Sequence, residues 1–336
     1  MKAVVYEKYG PPDVLQLLEV EKPVPEEDEV LVKVHAVSLN ASDWEFLMAR
    51  PRYVHLWSPL RPKFRILGSD IAGRVEAVGG SVKQFQPGDD VFGDVMMRWG
   101  GLAEYVCARE NQLLLKPADV TFEDAAALPQ AGVVALQGLR DKGGIRSGHK
   151  VLINGAGGGA GSFAIQLAKM NGAEVTGVDR GNKLDFMRSI GADLVIDYTR
   201  EDFVGQQYDL IVDFVAHRSI FDYKRALSDT GKYVLVGGSV PRILQTLLLG
   251  PLIGMFGSKK MGILGHRQNV ADMAYMAELC SAGKVVPVID RRYPLSEVPE
   301  ALRYLGEGHA KGKVIITLAT VAGPGSGTEA GMGRND

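Results

Sequence analysis

The chain has 336 residues, 46% of them apolar, and a formal net charge of −2 at pH 7. This length predicts two domains with separate cores, and the near-neutral charge excludes the broad positive field with which proteins attract nucleic acid or anionic membranes. The two cysteines, Cys107 and Cys280, lie far apart in the sequence, so neither a disulfide framework nor a cysteine-rich zinc lobe is expected. Met1 leads directly into the strand-like run Lys2–Tyr6, so no export signal is expected either. We expect a small-molecule partner and a cytoplasmic location.

Short strands separated by turn signals occupy the chain up to Thr121. The turn signals are Gly79-Gly80, Pro87-Gly88 and Gly100-Gly101, and such residues mark turns between strands. The strand-like runs are Glu29–Ala36, Ile71–Val78, Asp90–Phe92 and Ala103–Ala108. This pattern predicts a β-rich, barrel-like domain.

From Val151 onward, apolar runs rich in β-branched residues alternate with segments of helical spacing. Gly172 and Gly191 stand where glycines commonly end helices. The predicted strands are Val151–Asn154, Glu174–Asp179, Leu194–Asp197, Leu210–Phe214 and Tyr233–Val236, and the predicted helices are Ser162–Met170, Lys183–Ile190 and Ile220–Leu227. The alternation predicts an α/β fold with a doubly wound parallel sheet of the Rossmann type.

An apolar run extends from Ile243 to Phe256, is 14 residues long and contains Gly250, Pro251 and Gly254. Because roughly 20 apolar residues are needed to span a bilayer, we expect no membrane span here. Three interpretations stay open: the run lines a pocket for a bulky hydrophobic ligand, packs against a second subunit, or packs in the core.

Near the C-terminus, Val285–Val288 and Val314–Leu318 are strand-like. They flank a helix predicted at Ser296–Gly306, with Ser296 as its N-cap. The glycine-rich tail of residues 320–336 lacks apolar periodicity, so we predict that it is disordered.

A glycine-rich turn, Gly155–Gly161, joins the first strand of the predicted parallel sheet to the helix that follows. In such a setting one residue makes the tight turn, a second lets a pyrophosphate approach the backbone, and a third lets the helix pack on the strand. We assign these tasks to Ala156, Gly158 and Gly161, and the helix N-terminus adds unpaired N–H groups. The alternative is a turn that serves packing alone. The predicted dinucleotide contacts are Ala156, Gly157, Gly158, Gly159, Ala160 and Gly161.

The residues after the second strand give opposing signs on the choice of cofactor. A carboxylate at Asp179 accepts hydrogen bonds from the ribose 2′-hydroxyl of NAD, whereas Arg180 and Lys183 can pair with the 2′-phosphate of NADP. The alternative for the two basic residues is simple exposure to solvent. Ligands of such sheets lie outside the carboxyl ends of the strands. That geometry adds Phe214, Val215, Gly237 and Gly238 to the predicted cofactor contacts.

The segment Gly148–Gly161, followed by Gln166 and Lys169, resembles the signature of quinone oxidoreductases of the zeta-crystallin kind, within the medium-chain dehydrogenase/reductase superfamily. The elements at residues 68–73, 79–82 and 87–93 are similar to that superfamily's motifs near the catalytic cleft. The resemblance implies a GroES-like catalytic domain at residues 1–122 and 286–319, a Rossmann coenzyme domain at residues 123–285, and an active site between them. It also implies a slight preference for NADP(H) over NAD(H), and we expect a homodimer.

Zinc dehydrogenases of the superfamily place a cysteine and a histidine on the catalytic metal at positions that resemble Asn40 and Ser69 here, and Asp70 replaces a glutamate. Amide and hydroxyl groups are poor zinc ligands, and the six histidines show no HxH or HExxH spacing. We therefore expect no metal. Without a Lewis acid, alcohol oxidation loses its main driving element, whereas a quinone or an α,β-unsaturated carbonyl is already electrophilic and needs only stabilisation of the developing oxyanion.

The segment Leu39–Trp44 resembles the superfamily's Asn-x-x-Asp element beside the nicotinamide. Asn40 is the first candidate to donate to a substrate oxygen, the alternative being a turn residue that bonds its own backbone. Tyr53 is the second candidate, as a donor or proton source, the alternative being an aromatic ring that packs in the cleft wall. Val134 stands where many relatives carry a threonine that borders the nicotinamide.

Together these features predict a zinc-independent, NAD(P)H-dependent oxidoreductase that transfers hydride to a small hydrophobic quinone or α,β-unsaturated carbonyl. The alternatives are a metal-dependent alcohol dehydrogenase and a non-catalytic dinucleotide-binding protein.

Overall fold

Two sheets organise the protein in the computed structural model, which describes residues 1–50 and 61–318. One has seven strands, mostly antiparallel, and the other has six parallel strands. A separate two-stranded ribbon pairs β1 (Lys2–Val5) with β2 (Gln16–Glu19). The division into a β-rich part and a parallel α/β part is therefore confirmed.

The seven-stranded sheet joins segments from both ends of the chain. Its strands are β3 (Glu29–Leu39), β4 (Asp70–Val78), β5 (Asp90–Asp94), β6 (Tyr105–Arg109), β7 (Leu113–Leu115), β14 (Ile289–Pro294) and β15 (Lys313–Thr317). β15 runs antiparallel to β3, with Val314 opposite Leu39. Alternate valines of β3, including Val30, Val32 and Val34, point into a core shared with β15.

The six-stranded sheet has the strand order β10-β9-β8-β11-β12-β13. The strands are β8 (Lys150–Asn154), β9 (Glu174–Asp179), β10 (Leu194–Asp197), β11 (Tyr208–Asp213), β12 (Leu227–Leu235) and β13 (Lys260–Ile263). This is the Rossmann order, which reverses between the first and fourth strands, and ligands bind in the crevice outside the carboxyl ends of those two strands. Here they are β8 and β11. The sequence did not reveal β13, because its four residues include a lysine and a glycine and form no apolar run.

Helices fill the connections and cover the parallel sheet. They are α1 (Ala41–Met48), α2 (Phe122–Ala127), α3 (Pro129–Gln137), α4 (Gly159–Met170), α5 (Leu184–Ser189), α6 (Ile220–Ala226), α7 (Val240–Met255), α8 (Val270–Ser281) and α9 (Val298–Gly306). α4 begins at Gly159, so the helix predicted from Ser162 starts three residues earlier, inside the glycine-rich turn.

Two local predictions near the C-terminus were wrong. Residues 285–288 are not a strand, because the pairing with β15 starts only at Ile289. Ser296 is not an N-cap: it lies in the 3-10 turn Leu295–Glu297, and α9 begins at Val298 with Glu297 as its N-cap. The domain boundaries at residues 122 and 286 stay predictions. The tail predicted to be disordered, residues 320–336, lies outside the described residues.

The apolar run at residues 243–256 forms most of α7. One side of this helix packs on β13, since a Cβ on Gly250 would lie 2.4 Å from the Met261 carbonyl oxygen. The opposite side is open, with Leu248 67% and Phe256 84% exposed. Core packing alone therefore does not describe the run. Within the described residues, no helix is both long and apolar enough to cross a membrane.

Candidate active site

A cavity of about 750 Å³ opens between the two sheets, at the carboxyl ends of β8 and β11. Its walls come from the glycine-rich turn, from α1, and from the Gly312-Lys313 step that starts β15. The α7 stretch contributes no described residue to these walls. A separate, smaller cavity beside Phe221 is instead lined by Leu249, Leu252, Ile253 and Phe256, so the stretch does not line the cavity between the sheets.

The glycine-rich turn presents backbone, not side chains, to the cavity. Gly155 has a φ of +81°, so it is the left-handed residue of the turn, the task predicted for Ala156. A Cβ on Gly161 would lie 2.2 Å from the Gly155 carbonyl oxygen, whereas a Cβ on Gly158 would meet nothing closer than 3.5 Å. Gly158 is also the N-cap of α4 and supplies no side-chain cap, so the first N–H groups of the helix stay open. This open cradle fits the pyrophosphate of a dinucleotide.

Two residues of the predicted contact set lie behind the turn. Ala156 is fully buried, and neither Ala156 nor Gly157 lines the cavity. Gly157 instead donates its N–H to Asp179 Oδ2 at 3.0 Å. The other predicted members, Gly158, Gly159, Ala160 and Gly161, all line the cavity.

The acidic residue that ends β9 is turned back toward the protein. Asp179 accepts from the N–H of Gly157 and, through Oδ1, from the N–H of Arg180 at 2.8 Å. Lys183 Nζ lies 3.7 Å from Asp179 Oδ1, and Lys183 is only 5% exposed, so solvent exposure does not describe this lysine. Burial lowers the pKa of Lys183. Arg180 is exposed, and its Nε donates to the Tyr198 hydroxyl at 2.9 Å.

The remaining predicted cofactor contacts meet at one wall of the cavity. Asp213, at the end of β11, accepts from the N–H groups of Val215 and Ala216 at 3.1 and 2.8 Å and so fixes the loop beyond the strand. The Asn154 amide donates to the same carboxylate at 2.9 Å. The predicted contacts that line this part of the cavity are Val134, Phe214, Val215, Gly237 and Gly238.

Asn40, the N-cap of α1, also lines the cavity. Its Nδ2 donates to Asp70 Oδ2 at 2.9 Å, and its Oδ1 accepts from Lys313 Nζ at 2.6 Å. Its own N–H donates to Asp43 Oδ2 at 2.8 Å. Both side-chain atoms of Asn40 therefore have partners within the protein, although the residue does line the cavity. Tyr53 lies outside the described residues.

Three buried carboxylates lie near Asn40. Burial raises the pKa of Asp43 to about 7. Burial, followed by the charge of Asp70, raises the pKa of Asp94 to about 8. Burial also raises the pKa of Asp70 and lowers that of Lys313, and the charges of Asp70 and Asp43 oppose the shift of Lys313. The cluster thus contains one buried cation among several acids.

Several cavity residues carried no signal that could have been found in the sequence. Lys313 is the chief one, because lysines are almost never fully buried and nothing near it indicates burial. His266 follows β13, which was not predicted, and neither of its ring nitrogens has a partner among the described residues. Glu45 of α1 also lines the cavity, and burial raises the pKa of its carboxyl group to about 7.

Asn40 and Ser69, the positions that resemble zinc ligands, are linked by hydrogen bonds to each other and to Asp70. Ser69 Oγ donates to Asp70 Oδ1 at 3.3 Å and lies 3.4 Å from Asn40 Nδ2. In the described ranges, 1–50 and 61–318, no three histidine, cysteine, aspartate or glutamate side chains are grouped so that they could hold a metal ion.

Comparisons with known proteins agree with this geometry. Two family models match, one described as an alcohol dehydrogenase GroES-like domain over residues 26–118 and the other as a zinc-binding dehydrogenase over residues 190–316. The 2-methylene-furan-3-one reductase of Solanum lycopersicum is 36% identical over 94% of this chain and 79% of the relative. A chloroplastic quinone-oxidoreductase homolog of Spinacia oleracea is 35% identical over 94% of this chain and 98% of the relative.

A solved structure resembles the whole described fold. The quinone oxidoreductase from Coxiella burnetii has a TM-score of 0.86 and 30% identity, with 95% of this chain and 99% of that one covered. The fold is accordingly a GroES-like domain combined with a Rossmann-type parallel sheet. The chain belongs to the quinone oxidoreductase branch of the medium-chain dehydrogenase/reductase superfamily.

Proposed function

We propose that this protein is an NAD(P)H-dependent oxidoreductase that transfers hydride to a small hydrophobic quinone or α,β-unsaturated carbonyl. The observation that carries the proposal is the single cavity that joins an open dinucleotide cradle at Gly158 to the buried polar group of Asn40, Asp70 and Lys313. The printed names of two relatives, a 2-methylene-furan-3-one reductase and a quinone-oxidoreductase homolog, support the same class of acceptor.

The cofactor supplies the hydride when it is bound, and the protein supplies binding and orientation. The backbone of Gly158–Gly161 would hold the pyrophosphate, and Val134 and Val215 would border the nicotinamide ring. Met96 and Leu305 add apolar surface to the same cavity, which suits a hydrophobic acceptor. A carbonyl or quinone is electrophilic by conjugation, so the donors near Asn40 need only stabilise the developing oxyanion.

We further propose that NADPH is preferred slightly over NADH. Asp179 has both carboxylate oxygens engaged by backbone N–H groups, so it is poorly placed to accept the ribose 2′-hydroxyl in two hydrogen bonds. Arg180 and Lys183 put two cations beside that site, and an arginine suits a phosphate.

The protein is also proposed to form a homodimer and to work in a reducing compartment such as the cytoplasm. α7 packs on β13, the outer strand of its sheet, and a second copy of the chain would cover the exposed apolar side of α7 that faces away from β13. The thiols of Cys107 and Cys280 are free, as a reducing compartment requires.

The experiment measures NADPH and NADH oxidation with a simple benzoquinone and an acyclic enone, and alcohol oxidation with NADP⁺ and NAD⁺, each with and without a chelator. Turnover that the chelator leaves unchanged supports the proposal, whereas chelator-sensitive alcohol oxidation would replace it with a metal-dependent dehydrogenase. Tight cofactor binding without turnover would favour the non-catalytic dinucleotide-binding alternative. Gly158→Leu, whose side chain would fill the cradle, is the control for turnover that depends on the glycine-rich turn.

A further inference from the structure

Lys313 lies where the two sheets meet. The preceding residue, Gly312, donates its N–H to the Gly157 carbonyl at 3.2 Å, and a β-bridge pairs Gly312 with Gly158. Gly312 has a φ of +99°, and a Cβ there would lie 2.4 Å from the Val288 carbonyl oxygen, so only glycine fits at this position. The lysine stem then crosses the start of α4, since a Cβ on Gly159 would lie 3.0 Å from Lys313 Cδ. Backbone contacts on both sides therefore fix the direction of this side chain.

The ammonium at its tip is only partly satisfied. Lys313 Nζ donates to Asn40 Oδ1 at 2.6 Å and to the Leu39 carbonyl oxygen at 3.3 Å. An ammonium has three N–H groups, and within the described part of the chain the third has no hydrogen-bond acceptor. Lys313 is 2% exposed and lines the cavity, so the third acceptor has to come from a ligand or a water molecule in the cavity.

The positive charge is compensated at a distance. Among the described residues no carboxylate oxygen lies within 4.0 Å of Lys313 Nζ. The Asn40 side chain stands between Lys313 and Asp70, because it accepts from Lys313 and donates to Asp70. Asp43 faces the same group from α1 and is held by the N–H groups of Asn40 and Gly68. Burial lowers the pKa of Lys313, and the charges of the two acids oppose that shift, but neither acid accepts from its open N–H.

We propose that Lys313 is a catalytic residue that donates this third N–H to the carbonyl oxygen of the acceptor and stabilises the oxyanion formed by hydride addition. This inference rests on the proposed function. In it, Lys313 stabilises the oxyanion of the acceptor, as a metal ion does in the zinc-dependent enzymes. The Asn40 amide, whose Nδ2 is committed to Asp70, is a positioning residue that aims the ammonium.

With an enone, hydride addition to the β-carbon is followed by protonation of the α-carbon. The β-carbon gains a hydride from NAD(P)H, which is oxidised by two electrons to NAD(P)⁺. The π pair of the C=C bond shifts to the bond between the α-carbon and the carbonyl carbon, and the carbonyl π pair moves onto oxygen, where it accepts the Lys313 N–H. A solvent proton then adds to the α-carbon, and the C=O bond forms again. For a quinone, the hydride adds to one carbonyl oxygen, the ring π electrons shift so that the other carbonyl oxygen becomes the oxyanion that accepts the Lys313 N–H, and a solvent proton on that oxygen completes the quinol.

The test compares Lys313→Met, which keeps the length of the stem without the charge, with Lys311→Met, a control two residues earlier that does not line the cavity. The first readout is the single-turnover rate of hydride transfer. Loss of one oxyanion donor lowers such rates by about 10²–10³, and we expect a loss of this size in Lys313→Met alone, with an unchanged Kd for the cofactor. An unchanged rate would overturn the proposal.

The second readout does not depend on turnover. 4-Nitrophenol, added with NADP⁺, is expected to bind to the wild type as the coloured phenolate, because the ammonium stabilises its oxyanion, and to Lys313→Met as the neutral phenol. Equal ionisation in the two proteins would overturn the proposal. If the wild type binds phenolate but oxidises no NAD(P)H with any acceptor, the proposed function fails while the assignment of the cation stands.

The charge change itself affects folding, because Lys313→Met leaves Asp70 without its cation. The double variant Lys313→Met/Asp70→Asn removes both charges and is compared with Asp70→Asn. We expect the single-turnover rate of the double variant to lie well below that of Asp70→Asn, and equal rates would count against the lysine.

Discussion

Asn154 Nδ2 donates to Asp213 Oδ1 at 2.9 Å, so a hydrogen bond joins the amide that ends β8 to the carboxylate that ends β11. The bond crosses the point at which the strand order reverses, where a Rossmann sheet binds its ligand. The same carboxylate accepts from the hydroxyl of Tyr233 at 3.0 Å and from two N–H groups of the loop that carries Val215. One fully buried side chain thus holds the shape of the cofactor wall.

Asp213→Ala is therefore expected to affect folding and binding together. It leaves the Tyr233 hydroxyl and two loop N–H groups buried without partners, which costs about 2–4 kcal/mol in the free energy of unfolding. The loop carrying Val215 also loses its anchor, so the Kd for NADPH rises. Urea denaturation and fluorescence titration measure the two effects. Asp213→Asn keeps the shape and one acceptor oxygen, and a loss as large as that of the alanine variant would contradict this account.

Two glycines of the turn are expected to respond differently to the same added methyl group. In Gly161→Ala the new Cβ would lie 2.2 Å from the Gly155 carbonyl oxygen, so the melting temperature falls. In Gly158→Ala the nearest atom is 3.5 Å away, so stability is unchanged, but the methyl group occupies the cradle. The Kd for NADPH then rises about tenfold, equivalent to about 1.4 kcal/mol. Equal melting temperatures for the two variants, or an unchanged Kd in Gly158→Ala, would refute the assignment of these tasks.

These two glycines show what local sequence can predict. The turn, the strand before it and the helix after it lie within one short segment, and their spacing reports directly on backbone geometry. The site also depends on contacts between distant segments, such as Lys313 with Asn40, which are 273 positions apart. No periodicity encodes that contact, and a lysine is ordinarily predicted to be exposed. The same reason explains β13, which is a strand because β12 pairs with it and not because its residues favour one.

The choice of cofactor is tested by Arg180→Ala. If Arg180 pairs with a 2′-phosphate, its loss removes a charge-assisted hydrogen bond worth about 1.5–3 kcal/mol, so the Kd for NADPH rises at least about tenfold while the Kd for NADH stays the same. Arg188→Ala is a matched control, because Arg188 is an exposed arginine of α5 that pairs with Asp185 and does not line the cavity. Equal changes in the two Kd values would reject the pairing and, with it, the proposed preference for NADPH.

The proposed homodimer predicts a concentration-dependent mass in sedimentation equilibrium. Leu248→Asp puts a charge on the exposed side of α7, where Leu248 is 67% exposed in the monomer. We expect this variant to sediment as a monomer. At dilutions where the wild type is also monomeric, the two proteins should have the same melting temperature. Val24→Asp is the control, because Val24 is 84% exposed and far from α7 in sequence. A Leu248→Asp protein that keeps the mass of the wild type would show that this face is not the interface.

The buried carboxylates predict that stability falls as the pH rises. The pKa of Asp94 is raised to about 8, chiefly by burial and then by the charge of Asp70. Because the folded state holds this proton more tightly than the unfolded state, Asp94 contributes most to stability below its unfolded pKa of about 3.9, and that contribution is lost as the pH rises toward 8. Asp94→Asn removes the titration and keeps an oxygen that can accept from the N–H of Met96, as Asp94 does at 2.8 Å. We expect the free energy of unfolding of the variant, measured relative to that of the wild type, to be at least about 1 kcal/mol higher at pH 9 than at pH 5. Urea denaturation at the two pH values measures the difference. If the variant gains nothing on the wild type between pH 5 and pH 9, Asp94 is stabilised as a carboxylate, because the desolvation that raises its pKa is then outweighed by its hydrogen bonds.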